Sequence, residues 1–168
     1  MRSVRKLWVG SVVVAGLSIV AAGCGVTNYG DAVEAYDREY AERHEFEAHR
    51  VPRGNATLYA REFRPATPNG KPPYLLLHGF PDNLHLYDRR SPRLGADRRT
   101  IAFDFLGWGQ SDKPKDHRYD AASLRRDLEA VIAHFDLERV VLVAHDASGF
   151  PVTSGPSTIL SERRAWSC

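Results

Sequence analysis

The sequence predicts an α/β domain, a mostly parallel sheet with flanking helices. Three observations carry this. PYLLLHG (73–79), RTIAFDF (99–105) and VVLVAHD (140–146) are short apolar runs closed by glycine or a carboxylate. Such runs describe strands buried on both faces. A helical pattern lies between the last two, and strand, crossover helix, strand is the signature of parallel pairing. Hydrophobic residues make up 43% of the 168 and charged residues 26%, an ordinary globular balance that excludes a disordered chain.

The chain begins with a separate element. MRSVRKLWVGSVVVAGLSIVAAGC carries Arg2, Arg5 and Lys6, then an uncharged, mostly apolar run from Leu7 to Ala22, then small residues and Cys24. Basic start, apolar middle and small-residue cleavage region form a signal-peptide layout, so residues 1–23 are expected to direct export from a bacterial cell. The run is short for a membrane-spanning helix. AAGC resembles a lipoprotein box with Cys24 as the lipidated residue, although Ala21 stands where leucine is usual. Ordinary secretion and an uncleaved anchor are the alternatives. The expected location is therefore lipid-anchored, periplasmic or extracellular.

Removing residues 1–23 takes away three positive charges and changes the formal net charge from +2 to −1. No basic stripe interleaved with aromatics appears, so nucleic acid is not an expected partner. Only two cysteines exist, Cys24 and Cys168. With Cys24 lipidated no disulfide is expected. Oligomeric state is not legible.

Residues 24–43 are read as a tether or short helix, because Val33, Tyr36 and Tyr40 recur among charges from Asp31 to Arg43. Phe46–Arg50 and Ala56–Phe63 alternate apolar and polar around Pro52, Gly54 and Asn55, which predicts an antiparallel hairpin. Pro72-Pro73 then breaks the chain before the first buried strand. Asp120 is a plausible N-cap for the crossover helix. Leu124, Leu128, Val131, Ile132 and Phe135 recur on its apolar face, with Arg125, Arg126, Asp127 and Glu129 assigned to the wet face.

Ligands of open parallel sheets bind beyond the carboxyl ends of the strands. The third strand ends in Ala144-His145-Asp146-Ala147-Ser148-Gly149. A nucleophile elbow has the form small-x-nucleophile-x-small between strand and helix. Ala144 and Ser148 are the small residues, which puts Asp146 in the nucleophile position, where a carboxylate can attack an electrophilic carbon. The bland alternative is an Asp that caps the next helix. Ser148 fails as nucleophile because Phe150 would have to be small. His145 is an unlikely base for its neighbour, since adjacent strand side chains point to opposite faces. His145 and His78 are read as structural. Asp104 is read as fixing its loop, Gly107-Trp108-Gly109 as a tight turn with Trp108 over the strand ends, and Lys113-Pro114-Lys115 as a solvated loop.

LLLHGFPDN (75–83), DFLGWGQSDKP (104–114) and VVLVAHDASG (140–149) together resemble the α/β-hydrolase family, in particular its epoxide hydrolase and haloalkane dehalogenase branch. The resemblance covers roughly residues 44–152. It implies a small-molecule substrate, no metal and no organic cofactor. It implies that His78-Gly79-Phe80-Pro81 forms the oxyanion turn, with backbone N–H groups of Phe80 and Ala147 as donors. In dehalogenases these two positions carry Asn or Glu and Trp, whose side chains bind halide. Phe80 and Ala147 offer no such donor, which favours an epoxide hydrolase. Ala147 also departs from the Trp common in epoxide hydrolases.

The family places its catalytic acid and histidine after the elbow. The 19 residues after Gly149 contain no His, Asp or Tyr, and Glu162 is their sole carboxylate. Gly155 and Pro156 interrupt the helix expected there. Residues 153–168 are therefore read as an aberrant tail. In a neighbouring reading frame, Ser154–Glu162 permits WAFDHPER, a family-like continuation, so a frameshift near Val152 is expected. The fold is expected to be the N-terminal part of an α/β-hydrolase, incomplete, prone to aggregation and without turnover. A dehalogenase-like hydrolase or a non-catalytic lipoprotein fragment are the rivals.

Overall fold

The computed structural model describes residues 29–149. The leader, Cys24 and the tail 153–168 lie outside them. Along the chain run α1 (Tyr29–Ala41), β1 (Glu47–Arg53), β2 (Ala56–Phe63), β3 (Tyr74–Leu77), a 3-10 turn (Leu84–Tyr87), α2 (Ser91–Asp97), β4 (Thr100–Phe103), α3 (Ala121–His134) and β5 (Val141–Ala144). A second 3-10 turn, Asp146–Ser148, follows β5.

The five strands form one mixed sheet in the order β1-β2-β4-β3-β5. β3 pairs in parallel with β4 and with β5, while β2 runs antiparallel to β1 and β4. The three apolar runs thus become the three parallel strands. The expected hairpin also forms, but β1 continues through Pro52 to Arg53 and turns at Gly54, where φ is 63°. A proline is tolerated there because β1 is an edge strand and the missing N–H breaks no ladder bond.

Side-chain alternation divides the core between the sheet faces. Leu75, Leu77, Ile101 and Phe103 pack with Leu128, Val131 and Phe135. Leu76 and Ala102 pack on the other face with Tyr59, Leu84 and Tyr87. Among the described residues β5 is an edge strand. Leu142 is buried, Val141 and Val143 are half-buried and Ala144 is exposed. Its apolar run reads as buried on both faces, but no described element covers its outer side.

α3 begins as expected, with the Asp120 carboxylate accepting the Ser123 N–H at 2.8 Å. It ends in a Schellman motif: Asp136 N–H donates to Ala133 C=O and Leu137 N–H to Ile132 C=O, with Asp136 at φ 51°. One helix assignment is corrected. Asp127 is fully buried, not on the wet face. Its Oδ2 accepts the Leu106 N–H at 3.2 Å and Oδ1 pairs with Arg53 Nε at 2.9 Å. Periodicity places a side chain on a face but does not reveal a loop amide and a guanidinium waiting there.

β2 is corrected in the same way. Alternation implies one wet face, yet every residue from Leu58 to Phe63 is buried, including Arg61 and Glu62. Arg61 donates to Asp88 at 2.8 Å and forms an ion pair with Asp37 of α1. Tyr40 of α1 stacks on Arg61 and its hydroxyl donates to the Asp88 carbonyl at 3.0 Å. Residues 29–41 are therefore a docked helix rather than a tether.

Candidate functional site

The site is assembled at the carboxyl ends of β3, β4 and β5. Asp146 has φ 51°, the left-handed region that a non-glycine side chain seldom occupies. An L-residue stays there only where its surroundings over-determine it. Ser148 supplies part of that constraint. Its Oγ accepts the His145 N–H at 2.9 Å and lies 2.9 Å from the Leu77 carbonyl and 2.7 Å from the His145 carbonyl, the acceptors open to its hydroxyl proton. Ser148 is buried and committed to backbone, so it fastens the turn to β3. The His145 N–H also approaches the Leu77 carbonyl at 3.1 Å.

His145 differs from expectation. Its side chain is exposed rather than packed, and its backbone does the structural work. Ala144, the first small residue of the elbow, is exposed at the strand end. Ala147 follows Asp146 within the 3-10 turn.

The β3 turn meets the elbow directly. Phe80 N–H donates to Asp146 Oδ2 at 3.2 Å. The Phe80-Pro81 peptide is cis. Gly79 permits this approach, since a Cβ there would lie 2.6 Å from Asp146 Cβ and 2.9 Å from its Oδ2. Contacts that short force movement. Gly79→Ala is expected to part the turn from the elbow, slowing any reaction at Asp146 at least about tenfold and destabilising the fold by about 1–3 kcal/mol. Parallel labelling kinetics and urea unfolding check both effects.

His78 is buried just after β3. Its Nδ1 lies 2.8 Å from the Gly79 carbonyl, and its Nε2 accepts the Phe105 N–H at 3.2 Å. That network assigns the neutral Nδ1–H tautomer. Burial holds the His78 pKa below the usual histidine value, against the opposing pull of Asp104. The unfolded chain therefore binds a proton near pH 6.5 that the folded chain refuses. Stability is fully present above that pH and falls as pH drops toward the folded pKa, by up to about 1.4 kcal/mol per unit. Urea unfolding across pH 5 to 7.5 is expected to show this slope, and His78→Gln to flatten it.

Asp104 fixes the β4 loop. Its Oδ1 accepts the Leu84 N–H at 2.7 Å, its Oδ2 the Gln110 N–H at 2.9 Å, and its carbonyl the Ser111 hydroxyl at 2.6 Å. This loop carries Trp108 over the strand ends. A cavity of about 580 Å³ opens beside the elbow, lined by His78, Gly79, Phe80, Trp108, Tyr119 and Ser148 among others. Phe80 and Trp108 meet edge to face at 6.4 Å, and Trp108 and Tyr119 at 5.1 Å. Phe105 and Leu124 complete a mostly apolar wall. Sequence reasoning found Phe80 and Trp108 but missed Tyr119 and Leu124. Leu124 follows the helical period and reads as core. Tyr119 sits in a loop without periodicity, and only its packing over Gly107 brings it to the cavity.

Among the described residues, Glu47, His49 and Glu62 place one ligand atom each within 4.8 Å of one another. They lie at the amino ends of the parallel strands, opposite the elbow, since Glu62 pairs with Ile101 near the start of β4. Glu62 already accepts from Arg64 and Arg99. A metal there would have to displace both guanidinium groups. Among the described residues no helix is long and apolar enough to cross a membrane.

A mixed sheet, a turn that meets the end of β5, and a strand end raised into a left-handed turn are features of the α/β-hydrolase fold. Residues 72–154 match the model of the family described as the alpha/beta hydrolase fold. The chain is 37% identical over 90 residues to the "Putative hydrolase LipZ" of Mycobacterium tuberculosis, a match covering 54% of this chain and 31% of that protein. It is 38% identical over 82 residues to the fluoroacetate dehalogenase of a Burkholderia species, covering 46% and 27%. The crystal structure of epoxide hydrolase VrEH1 from Vigna radiata superposes with a TM-score of 0.57 at 26% identity, covering 64% of this chain and 33% of that one. The chain thus spans under a third of the length of these two curated relatives.

Proposed function

We propose that this chain carries the nucleophilic half of a hydrolase that opens epoxides through an aspartyl ester. The observation that carries this reading is the pairing of Asp146, raised at φ 51°, with the Phe80 N–H on its Oδ2. Asp146 Oδ1 attacks the electrophilic carbon, forming a C–O ester bond as the ring C–O bond breaks. The departing alkoxide takes a proton from water or from an acid outside the described residues. Oδ2 becomes the ester carbonyl. Water then adds to that carbonyl carbon, and the negative charge returns to Oδ2, where the Phe80 and Ala147 N–H groups steady it. A histidine must activate that water.

The similarity to a fluoroacetate dehalogenase keeps halide displacement as the second reading. Phe80 provides only a backbone N–H for a leaving halide, which weighs against it. Intact-mass spectrometry after exposure to an epoxide or a haloalkane separates the two. An epoxide adds its whole mass to Asp146, whereas a haloalkane adds its alkyl group and releases halide. A chain that labels with neither is a non-catalytic fragment.

We also propose that the chain is exported and held at the membrane by lipid on Cys24. The support is the basic, apolar and small-residue order of residues 1–24.

A further inference from the structure

Arg89, Arg90 and Arg93 stand together on the surface at the start of α2. All three are exposed, and among the described residues none forms an ion pair or side-chain hydrogen bond. Residues 88–90 form a turn that leads into α2, with Arg90 N–H donating to Tyr87 C=O and Leu94 N–H to Arg90 C=O. Arg89 and Arg90 thus stand at the entry to α2 and Arg93 in its first turn, three exposed cations within five residues. The neighbouring acids do not neutralise them. Asp88 is buried against Arg61, and Asp97 is paired with Lys71 and Arg98.

The rest of the chain after Gly23 is acidic enough to bring the total to −1 despite this patch. A nucleic-acid partner does not fit such a balance. α1 meets this face near its carboxyl end, where the Tyr40 hydroxyl donates to the carbonyl of Asp88, next to Arg89. Five residue-to-residue steps lead from Cys24 to Tyr29, a reach of at most about 18 Å. The eleven steps from Tyr29 to Tyr40 add about 16 Å of helix. A lipid on Cys24 would hold the patch within that short range of a bilayer, where tethering raises the effective concentration of headgroups.

We infer that Arg89, Arg90 and Arg93 dock on anionic lipid headgroups and orient the domain on the membrane that carries its amino terminus. The orienting role rests on the Cys24 anchor proposed above. The headgroup contact itself is a property of the patch. Guanidinium groups near an anionic surface gain about fivefold in partitioning each, on the order of a hundredfold for three at low salt. The gain fades as the Debye length shrinks.

The test is vesicle flotation of the full chain isolated from expressing bacteria. Neutral phosphatidylcholine vesicles are compared with vesicles doped with anionic phosphatidylglycerol. Binding to neutral vesicles, and its loss in Cys24→Ser, reads the anchor alone. The anionic increment over neutral vesicles reads the patch. R89E/R90E/R93E is expected to lose about a hundredfold of that increment at low salt, while R89K/R90K/R93K keeps it, since the surface reads charge and not the guanidinium fork. An unchanged increment in the glutamate variant overturns the inference, as does its loss in the lysine variant.

Discussion

Asp146→Asn is expected to abolish ester formation with an epoxide, lowering the rate of covalent capture on the order of 10⁴-fold or more. Removing the nucleophile of a concerted catalytic group has effects of this size. Asn has the shape of Asp and keeps an oxygen for the Phe80 N–H, so the elbow should hold its geometry. What it lacks is the anionic oxygen that forms the new bond. A loss of 10⁴ corresponds to about 5.4 kcal/mol of transition-state stabilisation. Time-resolved intact-mass measurement of both chains gives the ratio. Full labelling of the Asn variant removes Asp146 from the role of nucleophile. The readout is a single capture event, so it does not depend on a histidine or on turnover.

Arg61→Met is expected to destabilise the chain by about 3–5 kcal/mol. Arg61 is fully buried between β2, α1 and the 3-10 turn. Desolvation lowers its pKa, opposed by Asp88 and Asp104. Asp37 and Asp88 pair with it, and His85 Nδ1 lies 2.9 Å from Asp88 Oδ2. Removing the guanidinium leaves two buried carboxylates facing each other without a counter-ion, and that uncompensated charge is the source of the cost. Replacing all three charged members by apolar residues of similar volume should recover much of it. Urea unfolding of the single and triple variants checks this. A loss below about 1 kcal/mol in the single variant would mean that water reaches the cluster.

The elements were legible wherever a short-range rule applied. PYLLLHG, RTIAFDF and VVLVAHD read as strands because short runs of consecutive apolar residues describe strands buried on both faces. Asp120 read as a cap because its side chain serves an amide three residues on. α2 was not legible, since seven residues with Pro92 in the first turn carry too little period. At the site, Asp146, Phe80 and Gly79 were visible as a motif. The distance between turn and elbow was not, because β3 and β5 are neighbours only across the sheet.

The sequence by itself determined the three parallel strands, the crossover helix, the small residues around Asp146 and the glycine turn after β3, all encoded within a few residues of each other. Only the tertiary structure decided the fates of Asp127, Arg61 and Glu62, and the place of Tyr119 at the cavity. Each of those depends on a partner far along the chain, such as Asp88, 27 residues from Arg61. A buried charge is stable only where folding brings its counter-charge, and local pattern contains no term for that distance.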